Sequence, residues 1–138
     1  MKTTVADLMT PDVETLNADE DLVLADALMR MHRVRHLPVV RGERLVGLVT
    51  HRDLLRAQAK LLTDVPGDGE DRVVSLAAAD LMTADVQTVT PETPAAEAAA
   101  MLLTQKIGCL PVTREGELVG IVTEHDFLRW SLKQLRDE

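Results

Sequence analysis

The chain carries the same phrases twice, 73 positions apart. Asp7-Leu8-Met9-Thr10 returns as Asp80-Leu81-Met82-Thr83, and Leu37-Pro38-Val39 returns as Leu110-Pro111-Val112. Gly47-Leu48-Val49-Thr50-His51-Arg52-Asp53 returns as Gly120-Ile121-Val122-Thr123-Glu124-His125-Asp126. From position 7 to position 56 the second copy aligns without a gap, and 21 of these 50 positions are identical. A unit of about 55 residues with two helices and a small sheet cannot cover both sheet faces alone, whereas two stacked units can. The duplication therefore implies a pseudo-symmetric pair with a cleft between its halves, and each copy serves as a control for the other.

Both copies run through the same elements. A short segment ends in Met-Thr, and residues 13–16 and 86–90 then read as a brief strand. A helix follows over about 21–32 in copy one, with Asp19, Glu20 and Asp21 at its positive end. In copy two Thr93 is the expected N-cap and Pro94 the first helical residue. The alanine-rich run at 95–103 has high helix propensity. Strands are expected at 37–41 and 110–114. Tight turns at Arg41-Gly42 and at Glu115-Gly116 lead into apolar strands at 45–49 and 118–122. Such continuous apolar strands are usually buried on both faces. A closing helix begins near His51 and His125, running over about 52–62 in copy one. These boundaries divide the chain into unit 1 (1–62), a connector rich in acids, Gly and Pro (63–75), and unit 2 (76–138) with a C-terminal helix.

Composition narrows the function. The core must be aliphatic, because Phe127 and Trp130 are the only aromatic residues. A formal net charge of −8 argues against sequence-independent binding to nucleic acid, which needs lysines and arginines to neutralise phosphates. Cys109 is the single cysteine, so no intrachain disulfide forms, and a lone thiol fits a reducing compartment. No apolar run approaches the roughly 20 residues that span a bilayer, and the N-terminus lacks an apolar signal region. The expectation is a cytoplasmic protein with no membrane partner. No nucleophile stands beside a base, no metal-ligand spacing occurs, and no phosphate-binding glycine loop is present, so no catalytic residue, metal or required cofactor is expected and the chain does not read as an enzyme.

Gly-φ-φ-Thr-x-x-Asp, with φ apolar, describes a strand running into a helix N-terminus. Thr50 and Asp53, like Thr123 and Asp126, stand three apart, so hydroxyl and carboxylate face one spot. One reading is a capping box, with Thr as N-cap and Asp in the first turn. The other is that hydroxyl and carboxylate together face a functional site at this junction.

The full order, with Met-Thr, a helix, φ-Pro-Val, a turn and Gly-φ-φ-Thr-x-x-Asp, resembles the cystathionine-β-synthase (CBS) domain, and two in tandem resemble a Bateman module. The resemblance covers nearly the whole chain outside the connector and the C-terminal tail. It implies an α+β fold of two pseudo-two-fold related β-α-β-β-α units packed sheet to sheet, and a free-standing regulatory CBS-pair protein. It implies an adenine nucleotide as ligand, of the AMP, ADP, ATP or S-adenosylmethionine type, bound in the cleft, and an energy-sensing role. Asp53 and Asp126 would accept from the ribose hydroxyls, with Thr50 and Thr123 near ribose and phosphate. The adenine would be lined by Thr10, Val13, Arg35 and His36 in copy one and by Thr83, Val86, Gly108 and Cys109 in copy two. Phosphate would meet Arg35, His36, His51, Arg52 and His125. The resemblance further implies a homodimer, with helices at the interface, and an unidentified regulated protein.

The copies differ where they would meet the ligand. Copy one has Arg35-His36 before Leu-Pro-Val, and copy two has Gly108-Cys109. In related modules a basic pair here reaches a nucleotide held by the other copy, so the stronger site is expected at Asp126 and the weaker at Asp53. Duller readings stand beside these. Arg35-His36 can be a solvated strand entry, Cys109 a small buried residue, and the Leu128, Leu132, Leu135 stripe a packing face. A ligand-free scaffold subunit that keeps the CBS fold is the alternative function.

Overall fold

The structure is a computed structural model that describes residues 2–64 and 76–138. The stretch 65–75, most of the expected connector, lies outside the described residues. The chain forms two compact units, Glu14–Asp85 and Met1–Val13 together with Val86–Glu138. The repeat boundary and the spatial boundary do not coincide. The first 13 residues of copy one belong with copy two, and the opening Met-Thr segment of copy two belongs with copy one.

In the copy-one unit, β1 (Leu16–Asn17) is followed by α2 (Leu22–His32), β2 (His36–Arg41), β3 (Arg44–Thr50) and α3 (His51–Asp64), with α4 (Ala78–Leu81) added from the second repeat. This is the expected β-α-β-β-α order. Asp21 caps α2, its carboxylate accepting from Leu24 N at 3.0 Å. β1 pairs parallel with β2, and β2 antiparallel with β3. Leu16, Leu22, Ala25, Met29, Leu37, Val39, Val49, Leu54 and Ala78 form the core. Ala78 joins it because the α4 segment is tied down by backbone bonds, Ala78 N to Glu20 O and Ala79 N to Ala18 O.

The copy-two unit repeats the plan with α1 (Val5–Leu8), α5 (Ala95–Gln105), β4 (Cys109–Arg114), β5 (Glu117–Thr123) and α6 (Glu124–Arg136). Val5 and Leu8 of α1 join Val89, Ala98, Leu102, Leu110, Val112 and Val122 in its core. Val5 N donates to Thr93 O, Ala6 N to Pro91 O and Ala95 N to Thr3 O, each at 2.9 Å.

Several expected boundaries shift for identifiable reasons. The strands expected at 13–16 and 86–90 contract to β1 and to a single parallel bridge between Val89 and Val112. The chain passes from one unit to the other at Val13/Glu14 and again at Asp85/Val86, so the residues beside those points have no continuous ladder. Thr93 is not the cap of α5. Its hydroxyl accepts from Thr90 N at 3.0 Å, and Pro94, with ψ of 136°, is the cap residue. The first turn sits at Gly42-Glu43 rather than Arg41-Gly42, because Arg41 pairs with Arg44. Gly42 has φ of 64°, while in copy two both Glu115 and Gly116 have positive φ, 54° and 85°. Moving the glycine one position thus changes which turn residues are left-handed. Both long strands carry a bulge at the same place, Val46 and Val119, where the register skips a residue. Burial along them begins at the glycine. Gly47, Leu48 and Val49, like Gly120, Ile121 and Val122, are buried, whereas Leu45, Val46, Leu118 and Val119 are only partly so.

Candidate ribose-binding junctions

The Gly-φ-φ-Thr-x-x-Asp phrase forms the same junction twice. In the copy-one unit Thr50 ends β3, and its N–H donates to Asp53 Oδ2 at 2.8 Å, while Asp53 N donates to Thr50 Oγ1 at 3.1 Å. In the copy-two unit Thr123 N donates to Asp126 Oδ2 at 2.8 Å and Asp126 N to Thr123 Oγ1 at 3.4 Å. Both are reciprocal capping boxes, so the structural reading of the motif holds. Each box uses Oδ2 and leaves Oδ1 for another donor.

What approaches Oδ1 separates the copies. Asp126 Oδ1 accepts from Thr10 Oγ1 at 3.1 Å and from Arg129 Nη2 at 2.9 Å, and its side chain is 2% exposed. Asp53 is half-buried. Among the described residues Asp53 Oδ1 accepts no hydrogen bond, and Arg56, the repeat counterpart of Arg129, makes no salt bridge to it.

The motif glycine has a role that sequence reasoning missed. Thr10 and Ile121 exchange backbone bonds, Thr10 N to Ile121 O at 2.9 Å and Ile121 N to Thr10 O at 3.0 Å. Leu48 and Thr83 do the same in the copy-one unit, at 3.0 and 2.9 Å. A Cβ on Gly120 would stand 3.0 Å from Thr10 O and 2.9 Å from Met9 Sδ, and one on Gly47 would stand 2.9 Å from Thr83 O. The glycine admits the Met-Thr backbone beside the strand. The recurrence of Met-Thr and of Gly in the same phrase order was the available signal, but not which copy each would serve.

Thr10 therefore lies beside Asp126, not Asp53, and Thr83 lies in the unit of Asp53. The adenine-lining residues expected of each copy are divided accordingly. Thr10, Val13, Val86, Gly108 and Cys109 belong to the unit of Asp126, and Thr83, Arg35 and His36 to that of Asp53. Strand pairing sets His36 opposite Thr50, and Cys109 opposite Thr123. His51 N donates to Arg35 O at 2.8 Å, so Arg35, His36, His51 and Arg52 gather at one junction. Gly108, Glu124 and His125 occupy the matching places at the other. Gly108 is exposed, but Cys109 is buried, and burial pushes its thiol pKa up to about 12. Among the described residues no group of His, Cys, Asp and Glu could hold a metal ion, and no helix is long and apolar enough to cross a membrane.

Comparison with known proteins agrees with this architecture. The structure is similar to that of AcuB from Vibrio cholerae, with 33% identity, a TM-score of 0.86, and coverage of 99% of this chain and 95% of that one. CBSX2, a CBS-pair protein of Arabidopsis thaliana, has been solved in complex with AMP. That complex gives 30% identity, a TM-score of 0.81, and coverage of 94% of this chain and 96% of that one. An inosine-5′-monophosphate dehydrogenase of Korarchaeum cryptofilum is 40% identical over 116 residues, which are 83% of this chain but only 21% of the dehydrogenase. The CBS-domain profile matches residues 5–60 and 78–133. With two matched repeats and the strand–helix junction formed in each, the chain belongs to the CBS-domain family as a tandem pair.

Proposed function

We propose that this CBS pair is a non-catalytic regulatory module that senses an adenine-containing ligand, held by its ribose at the Thr-Asp junctions. The observation that carries the reading is Asp53 Oδ1 beside Thr50, which accepts no hydrogen bond among the described residues, with Arg35, His36, His51 and Arg52 gathered at the same junction. A carboxylate accepts both ribose hydroxyls, and nearby cations meet a phosphate. The AMP bound by CBSX2, a relative covering nearly the whole chain, supports the ligand class. Of the expected adenine-lining positions, exposed Gly108 and Thr83 and partly exposed Val13 and Val86 leave surface for a base. Binding regulates only if the ligand favours one arrangement of the protein over another.

A thermal-shift series with AMP, ADP, ATP and S-adenosylmethionine tests the reading. A native-state ligand raises Tm in proportion to the logarithm of its concentration. No shift with any of them would leave the scaffold reading in its place.

The same proposal includes self-association. Leu128, Leu132 and Leu135 of α6 are 69%, 48% and 63% exposed, and Leu55, the repeat counterpart of Leu128, is 52% exposed. Apolar side chains at i, i+4 and i+7 make one helix face, which a second copy would cover. Light scattering should give twice the chain mass, and Leu132→Glu should reduce it to one chain.

A further inference from the structure

The two carboxylates are chemically unequal. An ionised carboxylate offers about four lone-pair positions. Asp126 already accepts four hydrogen bonds, from Thr123 N, Thr123 Oγ1, Thr10 Oγ1 and Arg129 Nη2. Asp53 accepts one among the described residues, from Thr50 N. A ribose that donates two hydroxyls finds acceptor capacity at Asp53. At Asp126 it must first displace Thr10 and the charge-assisted bond from Arg129, the stronger of the two. Arg129 is 63% exposed, so it can leave without unpacking a core. The neighbouring charges act in the same direction. The Asp53 junction brings Arg35, His51 and Arg52 together on the backbone, whereas the matching positions at Asp126 are Gly108, Glu124 and His125, of which Glu124 would repel a phosphate.

We infer that Asp53 anchors the primary nucleotide site and that Arg129, with Thr10, occludes the site at Asp126 until a ligand displaces them. This reverses the order of strengths expected from the sequence and makes Arg129 a specificity-determining residue of the second site. The inference rests on the adenine-ligand reading. It accounts for the difference between copies by an internal competitor for the ribose rather than by room for the base.

Calorimetric titration of the full chain with AMP, ATP and S-adenosylmethionine tests it, with melting curves to establish that each variant folds. The wild type should show one dominant AMP site, and Asp53→Asn should weaken that site about tenfold or more, a loss of at least one strong hydrogen bond. Arg129→Met should strengthen the weaker site about three- to tenfold, because it removes a competing donor that solvent partly screens. Two equal sites in the wild type, a dominant site that survives Asp53→Asn, or weaker AMP binding in Arg129→Met would each overturn the inference and leave the adenine reading intact. No heat from any of the three ligands would overturn both. Should Asp53→Asn fail to fold, the exposed Arg129→Met substitution decides alone.

Discussion

Cys109 and Gly120 occupy neighbouring strands of one unit, and each owes its behaviour to what surrounds it. The Cys109 thiol is buried and its pKa raised to about 12 by desolvation. It should resist aromatic disulfide reagents at pH 8 in the native protein and react at once in denaturant. The sign of its linkage follows. The folded state holds the proton more tightly than the unfolded chain, so this contribution to stability is complete below about pH 9 and is lost as pH rises toward about 12. Cys109→Ala should flatten that alkaline loss in denaturant titrations. Gly120→Ala places a methyl against Thr10 O and Met9 Sδ. The cost should be about 1–3 kcal/mol, read as a lower denaturation midpoint, because a backbone carbonyl yields less readily than a side chain. The junction carboxylates and their Thr partners were legible as a motif three residues apart. The Thr10 donor on Asp126 Oδ1 was not, since Thr10 lies 116 positions away.

The hairpin strands repeat the same register and the same bulge in both copies, whereas the turns and the helix N-caps differ. Helices α2 and α5 both stop on a non-glycine residue in the left-handed region, Arg33 with φ of 54° and Lys106 with φ of 53°, at equivalent repeat positions. A Cβ atom crowds the following carbonyl oxygen there, a cost that glycine escapes. Lys106→Gly should therefore stabilise the protein by about 1 kcal/mol, visible as a higher Tm. Asp21→Ala should cost about 1 kcal/mol by removing the cap on Leu24 N. Propensity and periodicity located α2, α5 and the two hairpins to within a residue or two. In sequence Asp21 reads only as part of an acidic cluster, and Thr93 reads as a cap although its hydroxyl has a competing partner at Thr90 N. The strands at 13–16 and 86–90 failed because a local apolar pattern carries no information about where the chain changes unit.

At the scale of the molecule, the exchange of opening segments means that neither repeat is a self-sufficient structural unit. Removing residues 1–10 takes Val5 and Leu8 from the core around Leu110, Val112 and Val122, and takes Thr10 from Ile121 and Asp126. Hydrogen exchange should then speed up in α5, β4 and β5 while α2, β2 and β3 retain their protection. Protection lost first in copy one would contradict the exchange. The sequence by itself determined the duplication, the β-α-β-β-α order, the aliphatic core and the Thr-Asp pairs, because all of these are written in short-range spacing and in residue type. Only the tertiary structure decided which Met-Thr segment packs on which motif glycine, and hence which carboxylate is already occupied by protein donors. The two Met-Thr phrases are nearly identical text and fit either glycine locally. Their assignment depends on contacts across most of the chain, which no local pattern encodes.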